Sequence, residues 1–158
     1  MRLLLAVPLL LAAAPVPADS PADLDAAAAR AMVDGCAAVA AARQGSQAIA
    51  VVDLGGHPVA TLRMDGNGWG VMDLALAKAR AAAAWGFTTA GMAMGAARTP
   101  GFADAPNVVI VAGGIPVWSA DGSRRIGAIG VSGGSAEDDV ACAEAGVKAA
   151  GLRTARAR

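Results

Sequence analysis

Two rhythms of apolar residues alternate along this chain. The first is helical: Leu24, Ala28, Met32, Cys36 and Val39 recur every three or four positions, on one face of a helix. Ser20-Pro21-Ala22-Asp23 marks its start, with proline early and acids in the first turn, and Gly45 ends it. The second rhythm is that of strands. Gln47 to Leu54 is rich in Ile and Val, and Gly55-Gly56 reads as a two-residue hairpin connection. The return from His57 to Met64 alternates, with Ala60, Leu62 and Met64 on one face and Val59, Thr61 and Arg63 on the other. Pro58 has no N–H for a ladder and belongs near the strand start or on an edge.

Asp65-Gly66-Asn67-Gly68 is a turn, and a helix follows from about Gly70 to Phe87. Val71, Leu74, Ala75, Lys78, Ala82 and Trp85 share one stripe of it, with Met72, Leu76, Ala79 and Ala83 beside them. Only Asp73 and Arg80 mark a polar side, so the helix is expected to be buried both on a sheet and against a neighbouring subunit. A short helix is expected over Ala90–Ala97. Strands are expected over Val108–Ala112, Ile115–Ser119 and Arg124–Val131, joined through Gly113-Gly114 and Ala120-Asp121-Gly122. Ser132-Gly133-Gly134 leads into a last helix from Ser135 to about Leu152, where Ser135 and Asp138 have capping-box spacing. A hairpin, a helix and a three-strand meander predict an α+β domain, an antiparallel sheet of about five strands covered by helices. A doubly wound parallel sheet is not expected, because strands and helices do not alternate regularly.

Composition adds a destination. Met1-Arg2, the apolar block Leu3–Ala14 and the small residue Ala18 have the form of a secretory signal peptide over residues 1–18. The block is shorter than the ~20 residues needed to span a bilayer. The mature chain, 19–158, is therefore expected to be one exported domain, periplasmic or extracellular, with no integral membrane segment. Lys plus Arg and Asp plus Glu balance at 13 each, and no basic patch with interleaved aromatics occurs, so nucleic acid is not an expected partner. Abundant alanine, with no tyrosine, implies thin elements and apolar surface left over for a homo-oligomer. Cys36 and Cys142 are either a disulfide or two small buried hydrophobes; sequence leaves both readings open.

Candidate chemistry is sparse. His57 is the only histidine, which excludes multi-histidine metal sites, whereas haem iron needs one or two protein ligands. It stands where a hairpin turn meets a strand, either facing a cleft or as a plain surface residue. Met64, Met92 and Met94 are thioether alternatives, more usual as packing residues. Lys78 lies inside an apolar stripe, so its amine either snorkels outward or meets an anion: a ligand carboxylate, Asp53 or Asp65. Ser132-Gly133-Gly134-Ser135 is either an anion-binding helix start or a tight capped turn. Glu137, Asp138 and Asp139 read as first-turn acids that suit the helix dipole. No catalytic triad or nucleophile elbow is present, and no catalytic residue is assigned.

The run Arg125–Ala136, the segment Val51–Ala60, Arg63-Met64-Asp65-Gly66 and Lys78-Ala79-Arg80 together resemble the GlcG/HbpS family of haem-binding proteins. That family also includes the C-terminal domain of PduO-type corrinoid adenosyltransferases, and the resemblance covers nearly everything after the first twenty residues. It implies a tetrapyrrole ligand, haem first and a corrinoid second. The PduO-like branch implies iron contact through His57. The HbpS-like branch implies an iron-contacting threonine near the second helix. Its Lys-Ala-x-Thr-Ala stands here as Lys78-Ala79-Arg80-Ala81-Ala82, without the hydroxyl, and its Pro-Thr stands as Thr88-Thr89, keeping Thr89. The expected protein binds or sequesters haem in an oligomer. An apolar cleft of hairpin and second-helix side chains holds the macrocycle, with His57 on the iron and Lys78 or Arg63 on the propionates. Thr89 and Met64 complete the expected cofactor-binding set. The alternative is a small-carboxylate-binding or cofactor-free enzyme module on the same fold, using Lys78, Asp53 and the glycine-rich helix start.

Overall fold

The computed structural model describes residues 24–157. The signal peptide expected over 1–18, and the helix start at Ser20–Asp23, lie outside the described residues. In chain order the elements are α1 (Ala26–Ala42), β1 (Ala48–Val52), β2 (Pro58–Arg63), α2 (Trp69–Trp85), α3 (Thr89–Ala96), a 3-10 turn (Phe102–Asp104), β3 (Gly114–Trp118), β4 (Arg125–Ser132) and α4 (Ala136–Ala149). Among the described residues no helix is long and apolar enough to cross a membrane.

The four strands form one antiparallel sheet in the order β2-β1-β4-β3. Register sorts its side chains into two unlike faces. Ile49 pairs with Val131 and Val51 with Ile129, and this branched face packs under α1 and α4 with Met32, Val33, Cys142 and Val147. Ala50 pairs with Gly130 and Val52 with Ala128, and this small-residue face meets Ala75, Ala79 and Ala82 of α2. The alanine content of the chain is thereby explained: α2 lies almost in backbone contact with the sheet. A Cβ on Gly130 would collide with the Ala75 carbonyl and the Ala79 amide. Gly130→Ala is therefore expected to cost about 1–3 kcal/mol or more through overpacking, read as a lowered midpoint in thermal unfolding. An unchanged midpoint would show that α2 can lift without penalty.

Helix α1 is capped by Asp25, whose carboxylate accepts from the Ala28 amide at 2.7 Å. Helix α4 is capped by Ser135, which accepts from the Asp138 amide at 3.1 Å. A disulfide joins Cys36 of α1 to Cys142 of α4 with the two Cα atoms 4.5 Å apart, so the first of the two cysteine readings is the observed one. Both cysteines are buried in the core beneath the branched face.

Two expectations need correction. Among the described residues the sheet has four strands where about five were expected, because Val108–Ala112 does not join it. Gly113 adopts a left-handed φ of 117° and accepts from the Val131 amide through its carbonyl, so pairing with β4 begins only there. Gly113-Gly114 is accordingly a bend into β3 and not a hairpin between two strands. The first hairpin is also longer than two residues. Asp53 and His57 close it, through the Asp53 amide on the His57 carbonyl at 3.0 Å, around Leu54, Gly55 and a left-handed Gly56.

Candidate haem-binding site

The five residues singled out from the sequence are not gathered into one place. His57 stands at the hairpin and is largely exposed. Arg63 closes the other end of β2, about 20 Å away at strand rise, with its guanidinium on the Asn67 carbonyl. The Met64 sulfur accepts from the Gln47 amide at 3.4 Å, and its side chain packs against the core on the α1 side. Thr89 is fully buried, and its hydroxyl accepts from the Gly114 amide at 2.9 Å, fixing the start of β3 to α3. Met92 is buried in α3, whereas Met94 is exposed.

Lys78 is the largest fully buried side chain among the described residues, and its partner is none of those expected. Its ammonium donates to the Asp139 carboxylate at 2.8 Å and to the Val131 carbonyl at 2.8 Å. The other Asp139 oxygen accepts from the Gly134 amide at 3.0 Å. Burial pushes the Asp139 carboxyl above its ordinary value, while the Lys78 hydrogen bond pulls it back. The amine thus neither reaches solvent nor pairs with Asp53 or Asp65. Asp139 is more than a helix-dipole acid. The Ser132-Gly133-Gly134-Ser135 turn is a capped turn whose Gly134 and Asp138 amides already have protein acceptors. Among the described residues Lys78 and Asp53 engage different partners, Asp139 and His57.

The hairpin itself holds a coherent group. One Asp53 oxygen accepts from the His57 amide at 2.9 Å, and the other lies 3.3 Å from the ring Nδ1. The His57 amide is the main cause holding Asp53 below its ordinary value, with the ring hydrogen bond and ring charge adding to it. An ionised carboxylate only accepts, so Nδ1 is the donor in this contact and Asp53 orients the exposed ring. Carboxylate-backed imidazoles of this kind are oriented, basic metal ligands.

Beside the hairpin turn is a cleft of about 340 Å³ lined by Leu54, Gly55, Gly56, Arg80, Ala84 and Asn107. Arg80 donates through Nε to the Gly56 carbonyl at 3.0 Å, which ties α2 to the hairpin and leaves a cation in the cleft wall. The cleft between hairpin and second helix lies at the surface and has only Leu54 and Ala84 as apolar side chains, unlike the apolar cleft expected. Among the described residues the interface between sheet and α2 is filled by the alanines of both, so it leaves no slot there. Sequence reading did not single out Arg80 as a cleft residue, although it stands within Lys78-Ala79-Arg80, because the helical wheel gave it only a polar face.

The fold is an α+β sandwich that presents a carboxylate-backed imidazole at the hairpin and an arginine in the wall of the adjoining surface cleft. Residues 24–148 match the family described as haem degrading protein HbpS-like, and the chain belongs to that family. A double mutant of Streptomyces reticuli HbpS is 33% identical, with 87% of this chain and 97% of that one covered and a TM-score of 0.74. PduOC in its complex with haem is 26% identical, with 85% and 100% covered and a TM-score of 0.76. Protein ORFY of Klebsiella pneumoniae is 25% identical, with 87% and 97% covered and a TM-score of 0.75. None of the curated protein sequences matches the chain.

Proposed function

We propose that this protein binds haem at the hairpin cleft, with His57 Nε2 on the iron. The observation that carries the reading is the Asp53–His57 pair, an exposed imidazole held by a carboxylate on the hairpin whose Leu54, Gly55 and Gly56 line the cleft. The haem in the PduOC complex and the description of the HbpS-like family support the same ligand. When bound, haem would supply an iron centre and two propionates. Asp53 fixes the imidazole and Arg80 takes a propionate, the role expected of Lys78 or Arg63. Leu54 would supply apolar surface to the ligand. Thr89 and Met64 serve as scaffold for the strands that hold the hairpin. A corrinoid is the second candidate ligand.

The cleft covers only one side of a flat ligand. The other side is closed by a second copy of the chain, a reading supported by exposed Leu54, Ile110 and Val111. The chain is exported, and the disulfide supports an oxidising compartment.

Titration of the purified chain with hemin is expected to give a Soret band that saturates. His57→Ala shifts the band and weakens binding at least ten-fold. Asp53→Asn weakens it about ten-fold, as for other partners that orient a metal-bound imidazole. A His57→Ala titration identical to that of the unaltered chain would remove the imidazole from the site. Saturation by cobalamin and not by hemin would give the cleft to a corrinoid.

A further inference from the structure

A second hollow shares no lining residue with the hairpin cleft. It lies against α3 and the 3-10 turn and has a volume of about 420 Å³. Its shape follows from the sequence of α3, in which Gly91 and Gly95 are four apart and leave one helix face without side chains. The Phe102 ring closes onto that face, so near that a Cβ on Gly95 would meet Phe102 Cε1 at 3.1 Å. Phe87, Met92 and Met94 complete apolar walls, and Phe87 and Met94 are more than half exposed. Arg98 and Thr99 supply the polar rim. Among the described residues no ion pair or hydrogen bond engages the Arg98 guanidinium.

We propose that this hollow binds a small amphipathic carboxylate: an apolar body of about two fused rings carrying one anionic group. Pockets of this size suit small molecules, and aromatic and thioether walls receive flat apolar bodies. One guanidinium at the rim matches one planar carboxylate through two parallel N–H donors. The Thr99 hydroxyl adds a further donor. An aliphatic floor would hold a neutral hydrocarbon as well; the uncompensated cation selects the anion.

The probe is 2-naphthoate, with 2-naphthalenemethanol as its uncharged counterpart, measured by calorimetry on the full chain. Trp85 packs edge-on against Phe102 with ring centroids 5.4 Å apart, so its indole N–H resonance reports filling of the hollow. Saturable binding of one 2-naphthoate per chain, with a shift of that resonance, is expected. Arg98→Gln weakens it about ten-fold or more, the loss of a charge-assisted pair. Phe87→Ala weakens it as well, and the alcohol binds no better than 2-naphthoate does to Arg98→Gln. Both side chains are largely exposed or at the rim, and thermal melts are expected to match that of the unaltered chain. Absence of binding at millimolar concentration, equal affinity in Arg98→Gln, or full competition by hemin would each overturn the proposal. So would a Met94→Asp variant that dissociates an oligomer when 2-naphthoate does not bind, because the surface would then belong to a second copy.

Discussion

Replacing Cys36 and Cys142 together by alanine is expected to remove about 4–5 kcal/mol of unfolding free energy. The bridge closes a loop of 106 residues, so its loss frees the unfolded chain over nearly the whole domain. The folded state has little to offer in exchange. Both residues are buried between α1 and α4, and alanine leaves a small void where the sulfurs were. Urea unfolding of the unaltered chain and the variant, compared at matched slope, measures the difference. A loss below about 1 kcal/mol would mean that the unfolded chain already keeps α1 near α4 without the bond, and the constraint argument would fail.

The second large effect is expected at Lys78. Lys78→Met leaves the Asp139 carboxylate buried without its cation, a change that costs about 3–5 kcal/mol when one member of a buried pair is removed. Adding Asp139→Leu to the same chain is expected to recover much of that loss, because two apolar groups then fill the space. The pH dependence has a definite sign. Burial already raises the Asp139 carboxyl, and loss of the ammonium raises it further. A group whose folded value lies above its unfolded one binds its proton more readily in the folded state. The single variant therefore gains stability as pH falls from neutral towards the ordinary carboxylate range. Denaturant midpoints across that range test it. A Lys78→Met chain as stable as the parent at neutral pH, or one that weakens steadily on mild acidification, would contradict the account.

Much of the architecture was legible because period and punctuation agree. The glycine-bounded alternation around His57 and the long stripe from Val71 to Trp85 became the elements they predicted, and the spacing from Leu24 to Val39 became α1 from Ala26 onward, with Leu24 just before its Asp25 cap. Val108–Ala112 misled because β-branched residues register local preference alone. Whether a strand edge is free depends on Gly113 and on the register of β3, which no local pattern reveals. Lys78 was visible as an anomaly, but its partner lies 61 residues away and on the opposite helical layer. The Cys36–Cys142 pairing likewise needed α1 and α4 to be neighbours on one face. His57 was singled out because it has no rival, yet its carboxylate sits only four residues back, in a hairpin one residue longer than expected.

The Lys78–Asp139 pair has one further consequence. Its two side chains belong to α2 and α4, which cover opposite sides of the sheet, and they meet around the end of β4 at Val131. The pair works as a rivet through the rim of the sandwich. With the covalent clamp fastening α1 to α4, it leaves neither outer layer free to peel away alone, so the domain comes apart as one cooperative unit.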